Sequence, residues 1–293
     1  MTQMRFLVIF AVSVAALHAQ VSSFEQWMAN VARTQLAVRS QMISGIQSVK
    51  AAEVRKVQVR SLLESLLGGL PTYAGPLNAQ VTGVIDRGSF RIEKILFESM
   101  PGIRISANLY VPQGSGTGPF PAILAQIGHF PEAKAWEQLT ASNLALKGFV
   151  VIAFDPIGEG ERLQGYDPVT GTSLVGWGVP QHIMAGGQSA LVGQSYARYE
   201  IFDARRTVDY LLTRPEVDST RIGATGCSGG GTLTIFAAAP STIASEPPPL
   251  PALSPHSAAM YPRLATPSRA GSTSLAPDSI KRTLLSCLPR GLS

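Results

Sequence analysis

The sequence predicts an α/β domain on a largely parallel sheet with helices on both faces. Three observations carry that prediction. Two alternating strand patterns, 81–99 and 103–111, flank the turn Met100-Pro101-Gly102, as an antiparallel start requires. Continuous apolar runs at 122–127 and 149–154 then alternate with helical patterns, the arrangement of buried parallel strands. Finally, a short strand at 221–225 passes through a glycine-rich turn into a helix opening near Thr232.

The elements follow in order. Residues 24–67 have helical spacing, with Trp27, Val31, Leu36, Val38 and Val57 separated by Gln, Arg, Lys and Glu. No proline occurs there until Pro71, and Gly68-Gly69 before it is a helix stop. In 81–99, Ile92, Lys94 and Leu96 mark a period of two, and Pro112 ends the strand that follows. Residues 114–118 form a glycine-rich linker. Helical patterns are expected at 135–147 and 194–213, the second stopped near Pro215, with a glycine-rich irregular excursion at 161–190. The strand at 221–225 is expected beside the one at 122–127.

A chain of 293 residues with 45% hydrophobic content can build one sizeable core. The net charge of +5 is no nucleic-acid signal. Arg263, Arg269, Lys281, Arg282 and Arg290 face only Glu246 and Asp278 after residue 240, so that segment supplies most of the excess. No basic stripe with interleaved aromatics occurs elsewhere, and no nucleic-acid partner is expected. At the N-terminus, Arg5, the apolar run 6–17 and the small residue Ala19 are ordered as in an export signal, 1–19. The run is short for a bilayer span, so the expectation is secretion or periplasmic export with no stable membrane span after cleavage. His18, His129, His182 and His256 stand far apart, without Cys or acidic partners in ligand register. No metal and no cofactor is expected.

Gly226-Cys227-Ser228-Gly229-Gly230 fits G-x-S-x-G and lies between the expected strand and helix. That setting suits a nucleophile elbow, in which a strained turn lifts the serine hydroxyl above the sheet. Glycines are needed where a Cβ would strike the neighbouring strand or helix. The N–H of Gly229 then faces the developing oxyanion at a helix N-terminus. A plain glycine-rich turn or phosphate cradle is the competing reading. No Lys follows in Walker register, which excludes that loop.

With these residues the chain resembles the α/β-hydrolases of the acetyl xylan esterase and S9-peptidase-like group, related to dienelactone hydrolases. The resemblance covers about 60–239 and rests on Pro101-Gly102 with ANLYVP, on PAILAQIGHF, on VIAFDPIGEGER and above all on DARRTVDYLLTRPEVDSTRIGATGCSGGG. It implies a serine carboxylesterase or deacetylase acting through an acyl-enzyme on a small-molecule or carbohydrate ester, with an S9-like peptidase as one alternative. By this resemblance Ser228 is the nucleophile, Gly229 an oxyanion donor, and the His129–Phe130 loop the second oxyanion segment. Asp155 organises a turn rather than serving as triad acid, and Glu159, Glu161 and Arg162 are turn and ion-pair residues. Trp177, His182 and Tyr196 are candidates for an acyl pocket.

One departure stands out. The fold places acid and His after the nucleophile, where only Glu246, Asp278 and His256 are available. His256 is thus the fallback base. The segment 240–293 holds 10 of the 21 prolines and shows no strand or helix period. Back-translated with permitted codons and read from the third base of the Pro240 codon, its start becomes LDHRIGAAAPAC, the strand entry the family pattern asks for. The expected organisation is therefore a signal peptide (1–19), an N-terminal helical segment (20–80), a partial α/β-hydrolase domain (81–239) and a disordered or out-of-frame tail (240–293). A catalytically inactive truncated member is the second alternative.

Overall fold

A computed structural model describes residues 23–238 apart from 115 and 117. The export signal, the segment from Pro240 onward and His256 lie outside the described residues. The chain divides into two compact units, 1–55 and 56–293, and the division falls inside a helix.

In the first unit, helix α1 (Ser23–Ser44) buries no residue, and the rings of Phe24 and Trp27 stack at 6.0 Å. The single helix expected over 24–67 is broken at Gly45, whose N–H donates to Gln41 O at 3.1 Å. Ser48 restarts it by accepting the Ala51 N–H at 3.1 Å, a side-chain cap that Ser supplies and an apolar residue cannot. The restarted helix, α2 (Val49–Leu67), crosses the boundary between the units.

In the second unit, α2 stops where expected. Gly68 and Gly69 both have positive φ, and the Gly69 N–H donates to Glu64 O at 2.8 Å, the six-to-one bond of a Schellman end. Next come β1 (Gln80–Asp86), β2 (Phe90–Met100) and β3 (Ile103–Pro112). The strand expected over 81–99 is therefore two strands of a hairpin. Gly88 (φ 74°) donates its N–H to the Asp86 carboxylate at 2.7 Å, a local side-chain turn that reverses the chain. Strands β4 (Phe120–Gln126) and β5 (Val150–Phe154) are joined through helix α3 (Gln138–Leu146).

The stretch read as an irregular excursion contains a small hairpin, β6 (Tyr166–Asp167) and β7 (Thr172–Ser173), and helix α4 (Val179–Leu191). Gly186-Gly187 in the middle of α4 and the glycines before it hide the helical pattern. Helix α5 (Ala197–Leu212), strand β8 (Val217–Gly226) and helix α6 (Gly229–Ala238) complete the described chain.

The main sheet runs β1-β2-β3-β5-β4-β8. Neighbours from β1 to β5 are antiparallel, and β5-β4-β8 are parallel. As expected, β8 lies beside β4, in the register Ala122↔Ile222 to Gln126↔Gly226. Alternation sends Ala122, Leu124, Ile152 and Phe154 to one face, where Ala204, Val208 and Leu211 of α5 cover them. Ile123, Ala125, Val151 and Ala153 face the other way, against Ala141 and Ala145 of α3. That is the two-sided α/β arrangement the sequence predicts. Among the described residues β8 is an edge strand, and the carboxyl ends of β4 and β8 open toward the same loops.

Candidate active site

Ser228 sits directly after β8 at the mouth of α6, half-buried, with φ of 54°. Only three non-glycine residues have positive φ, Asn78, Ala133 and Ser228, among the described residues. A left-handed backbone in a residue with a Cβ costs on the order of 1–3 kcal/mol. The turn is held because its carbonyl accepts the Thr232 N–H at 3.2 Å, beginning α6.

Crowding explains the glycines. A Cβ on Gly230 would strike the carbonyl oxygen of Gln126 and lie 2.6 Å from its carbon and 2.7 Å from the Ile127 carbon. On Gly226 it would meet the Gly230 carbonyl and Thr234 Oγ1 at 2.8 Å. On Gly128 it would lie 2.7 Å from Cys227 O and 3.3 Å from Ser228 Cβ. The β4 loop and the elbow thus pack backbone against backbone. Gly230→Ala is expected to destabilise the protein by about 3 kcal/mol, because no side chain can yield. Urea unfolding measures this, and an unchanged midpoint would contradict the packing.

The loop after β4 carries His129 and Phe130. A Cβ on Gly229 would lie 2.5 Å from His129 Cε1, so the imidazole edge occupies the space beside the elbow. The Phe130 N–H is committed within the unit, donating to Gly128 O at 2.8 Å and to the Glu159 carboxylate at 3.4 Å. The Phe130 ring stacks on Trp136 at 4.4 Å. Of the expected oxyanion segment, His129 is the residue closer to Gly229.

His182, on α4, is brought to His129 by a buried staple. Gln181, 1% exposed, accepts the Gln164 N–H at 2.8 Å. Its amide donates to Ser173 Oγ at 3.0 Å and to Gly176 O. His182 Nε2 faces Ile157 O at 2.7 Å, so that nitrogen carries the proton. Its bare Nδ1 then accepts from His129 Nε2 at 3.1 Å, which leaves His129 Nδ1 unprotonated on the side of Gly229. Burial holds both imidazoles below the usual histidine range, and His182 adds to the effect on His129. Tyr196 donates to Ile157 O at 3.2 Å and packs its ring on His182. Of the three pocket candidates, His182 lines the cavity, Tyr196 buttresses it, and Trp177 is 43% exposed on the approach to α4.

A cavity of about 180 Å³ opens here, lined by His129, Glu159, His182, Glu200, Gly229 and Phe236 among others. Burial first, and neighbouring carboxylates second, push the carboxyls of Glu159 and Glu200 up to about 8. Glu159 corrects an expectation. Its turn is as expected, its carbonyl accepting the Arg162 N–H at 2.9 Å, but the ion pair is not, since the side chain is 1% exposed with no cationic partner among the described residues. Glu161 and Arg162 behave as read. Glu161 pairs with Lys134 at 2.7 Å, and Arg162 pairs with Asp203 at 2.8 Å. Asp155 is a hub at the end of β5, and no histidine is among its partners in the described residues. The gathering of His129, Glu159 and His182 is the feature that sequence spacing does not reveal.

Residues 86–267 match the family model described as acetyl xylan esterase (AXE1), a match that continues past Pro240. The chain is 32% identical over 147 residues to the Pseudomonas aeruginosa protein PA2218, covering 50% of this chain and 33% of that protein. It is 34% identical over 136 residues to the Escherichia coli protein YcjY, covering 45% of this chain and 35% of that protein. The chain thus spans about a third of the length of these relatives. A candidate acetyl xylan esterase from Bacteroides fragilis superposes with a TM-score of 0.55 at 18% identity, covering 66% of this chain and 52% of that one. The methylesterase BT1017 gives 0.53 at 21% identity, covering 74% and 45%. At these identities the likeness is one of fold, and the shared fold is the α/β-hydrolase sheet described above.

Proposed function

The chain belongs to the acetyl xylan esterase family, a family of ester hydrolases, and from that premise we propose that it is a serine carboxylesterase or deacetylase whose substrate is an acetylated carbohydrate or similar small ester. Ser228 attacks the acyl carbonyl, the alcohol leaves, and water releases the acid from the acyl-enzyme. Gly229 N–H, at the start of α6, and the His129 segment donate to the oxyanion. On this reading the acid and base follow Ser228 in the chain, beyond the described residues, and His256 is the fallback base. The N-terminal pattern of Arg5, the apolar run 6–17 and Ala19 supports export of the mature chain. No helix among the described residues is long and apolar enough to cross a membrane.

The observation that carries the proposal is the left-handed Ser228 on a strand-to-helix turn closed by glycines that admit no Cβ. A protein gains nothing in stability from a strained serine there. Strain of this kind is kept where the hydroxyl must be presented.

One observation favours a second reading, a catalytically silent member. The histidines nearest the elbow, His129 and His182, bond to each other rather than to Ser228. A fluorophosphonate probe separates the two, since phosphonylation needs an activated hydroxyl. The purified chain is expected to take up one probe, and Ser228→Ala none. An unlabelled wild type would establish the silent reading. Labelling that persists in Ser228→Ala would move the nucleophile elsewhere.

A further inference from the structure

We infer that His129, Glu159 and His182 form a binding site for a single divalent transition metal of the zinc or cobalt class beside the Ser228 elbow. Three residues from three separate segments, the β4 loop, the β5 loop and α4, each bring one ligand atom to within 4.8 Å of the others.

The geometry is close to what such an ion needs. Two nitrogens bound at 2.0–2.1 Å in a tetrahedral site lie about 3.3 Å apart. His129 Nε2 and His182 Nδ1 stand 3.1 Å apart, so a small opening replaces their shared proton by a metal. A ligating histidine is normally fixed by a hydrogen bond from its other ring nitrogen. His182 already has that bond, from Nε2–H to Ile157 O at 2.7 Å, and Tyr196 braces its ring at 5.4 Å.

Glu159 supplies an independent observation. A carboxyl 1% exposed is ionised only with a cation beside it, because burying the charge alone is costly. Glu159 has only the Phe130 N–H at 3.4 Å and no Lys or Arg among the described residues. A metal ion would take the place of the proton on this buried carboxyl and give it a charged partner. Two imidazoles and one carboxylate suit zinc, cobalt or nickel better than calcium or magnesium, which prefer oxygen ligands throughout. The cavity touches all three residues, so a fourth position remains for water or another small oxygen ligand, the open arrangement of three-ligand zinc sites.

This site does not depend on Ser228 being a nucleophile, and its test uses metal binding alone. The full chain, stripped with EDTA, is titrated with zinc chloride by calorimetry and with cobalt chloride by visible absorption. One equivalent is expected to bind, with a cobalt spectrum of low-coordinate type and a higher Tm on zinc addition. His182→Ala and Glu159→Gln should each weaken binding at least tenfold, while Ser228→Ala binds as wild type. Circular dichroism checks that the variants fold, and His129→Asn offers a third, conservative probe. No binding by the folded wild type overturns the proposal. So does binding that all three ligand variants leave unchanged, or a preference for calcium over zinc.

Discussion

Replacing Ser228 by glycine is expected to move activity and stability in opposite directions. Without the hydroxyl, kcat/KM for p-nitrophenyl acetate should fall at least about a thousandfold, since no acyl-enzyme can form. Without the Cβ, the left-handed backbone at φ 54° is relaxed. Relief of that strain is worth on the order of 1–3 kcal/mol, offset by about 0.5–1 kcal/mol for the entropy glycine loses on folding. A net gain of about 1 kcal/mol follows, readable as a higher urea midpoint. Ser228→Ala separates the two effects, because it removes the hydroxyl and keeps the strain. It should be as inactive as the glycine variant but no more stable than wild type. If both variants lose stability, the serine is a packing residue and the strain has no catalytic purpose.

The second large effect belongs to Asp155, which is fully buried. Its carboxylate accepts from Ser106 Oγ at 2.8 Å and from the N–H groups of Lys134 and Glu161 at 3.0 Å each. It also pairs with the Lys134 ammonium. Four donors from three segments therefore converge on one side chain. Asp155→Ala should cost about 3–5 kcal/mol, because the buried Ser106 hydroxyl, two part-buried N–H groups and the Lys134 ammonium all lose their acceptor. For a domain of this size that is a fall in Tm of roughly 10 °C or more. Asp155→Asn keeps one oxygen but turns an NH₂ toward donors, so about half of the loss is expected. A triad acid behaves differently, since its amide variant folds normally and loses kcat. Thermal unfolding beside kcat on the folded fraction distinguishes the two roles.

Much of this architecture is legible in the sequence, for reasons that lie in particular residues. Strands β4 and β5 announce themselves because both faces are buried, which makes AILA and VVIAF continuously apolar. The elbow is legible because a strained serine needs glycine on either side, a demand the chain meets at Gly226, Gly229 and Gly230. What was hidden is partly a local turn and partly a matter of long-range contacts. The β1–β2 hairpin turns on Asp86 and Gly88 within a run that otherwise alternates. Helix α4 has Pro180 in its first turn, but Gly186-Gly187 weaken its pattern, and it is held by the Gln181 staple. The meeting of His129 with His182 depends on where α4 docks, so no spacing rule in the sequence anticipates it. The same is true of Glu159, whose isolation from any Lys or Arg is a property of the folded interior.

The position of β8 also sets an order of events. The β2–β3 pair closes around a tight turn, Met100 facing Ile103, and is built from neighbours in the chain. The β4–β8 pair joins Phe120 to Val217, so roughly a hundred residues must be looped before it forms. Distant pairings of this kind come late, after their closure entropy has been met by other contacts. Ser228 acquires its left-handed turn only when β8 lies against β4 and the elbow glycines meet the Gln126 backbone. A chain with β1 to β5 assembled would thus have most of its secondary structure and an ordinary, relaxed serine. Reactivity at this hydroxyl is consequently a clock for the docking of β8, which among the described residues has a single strand neighbour to keep it in place.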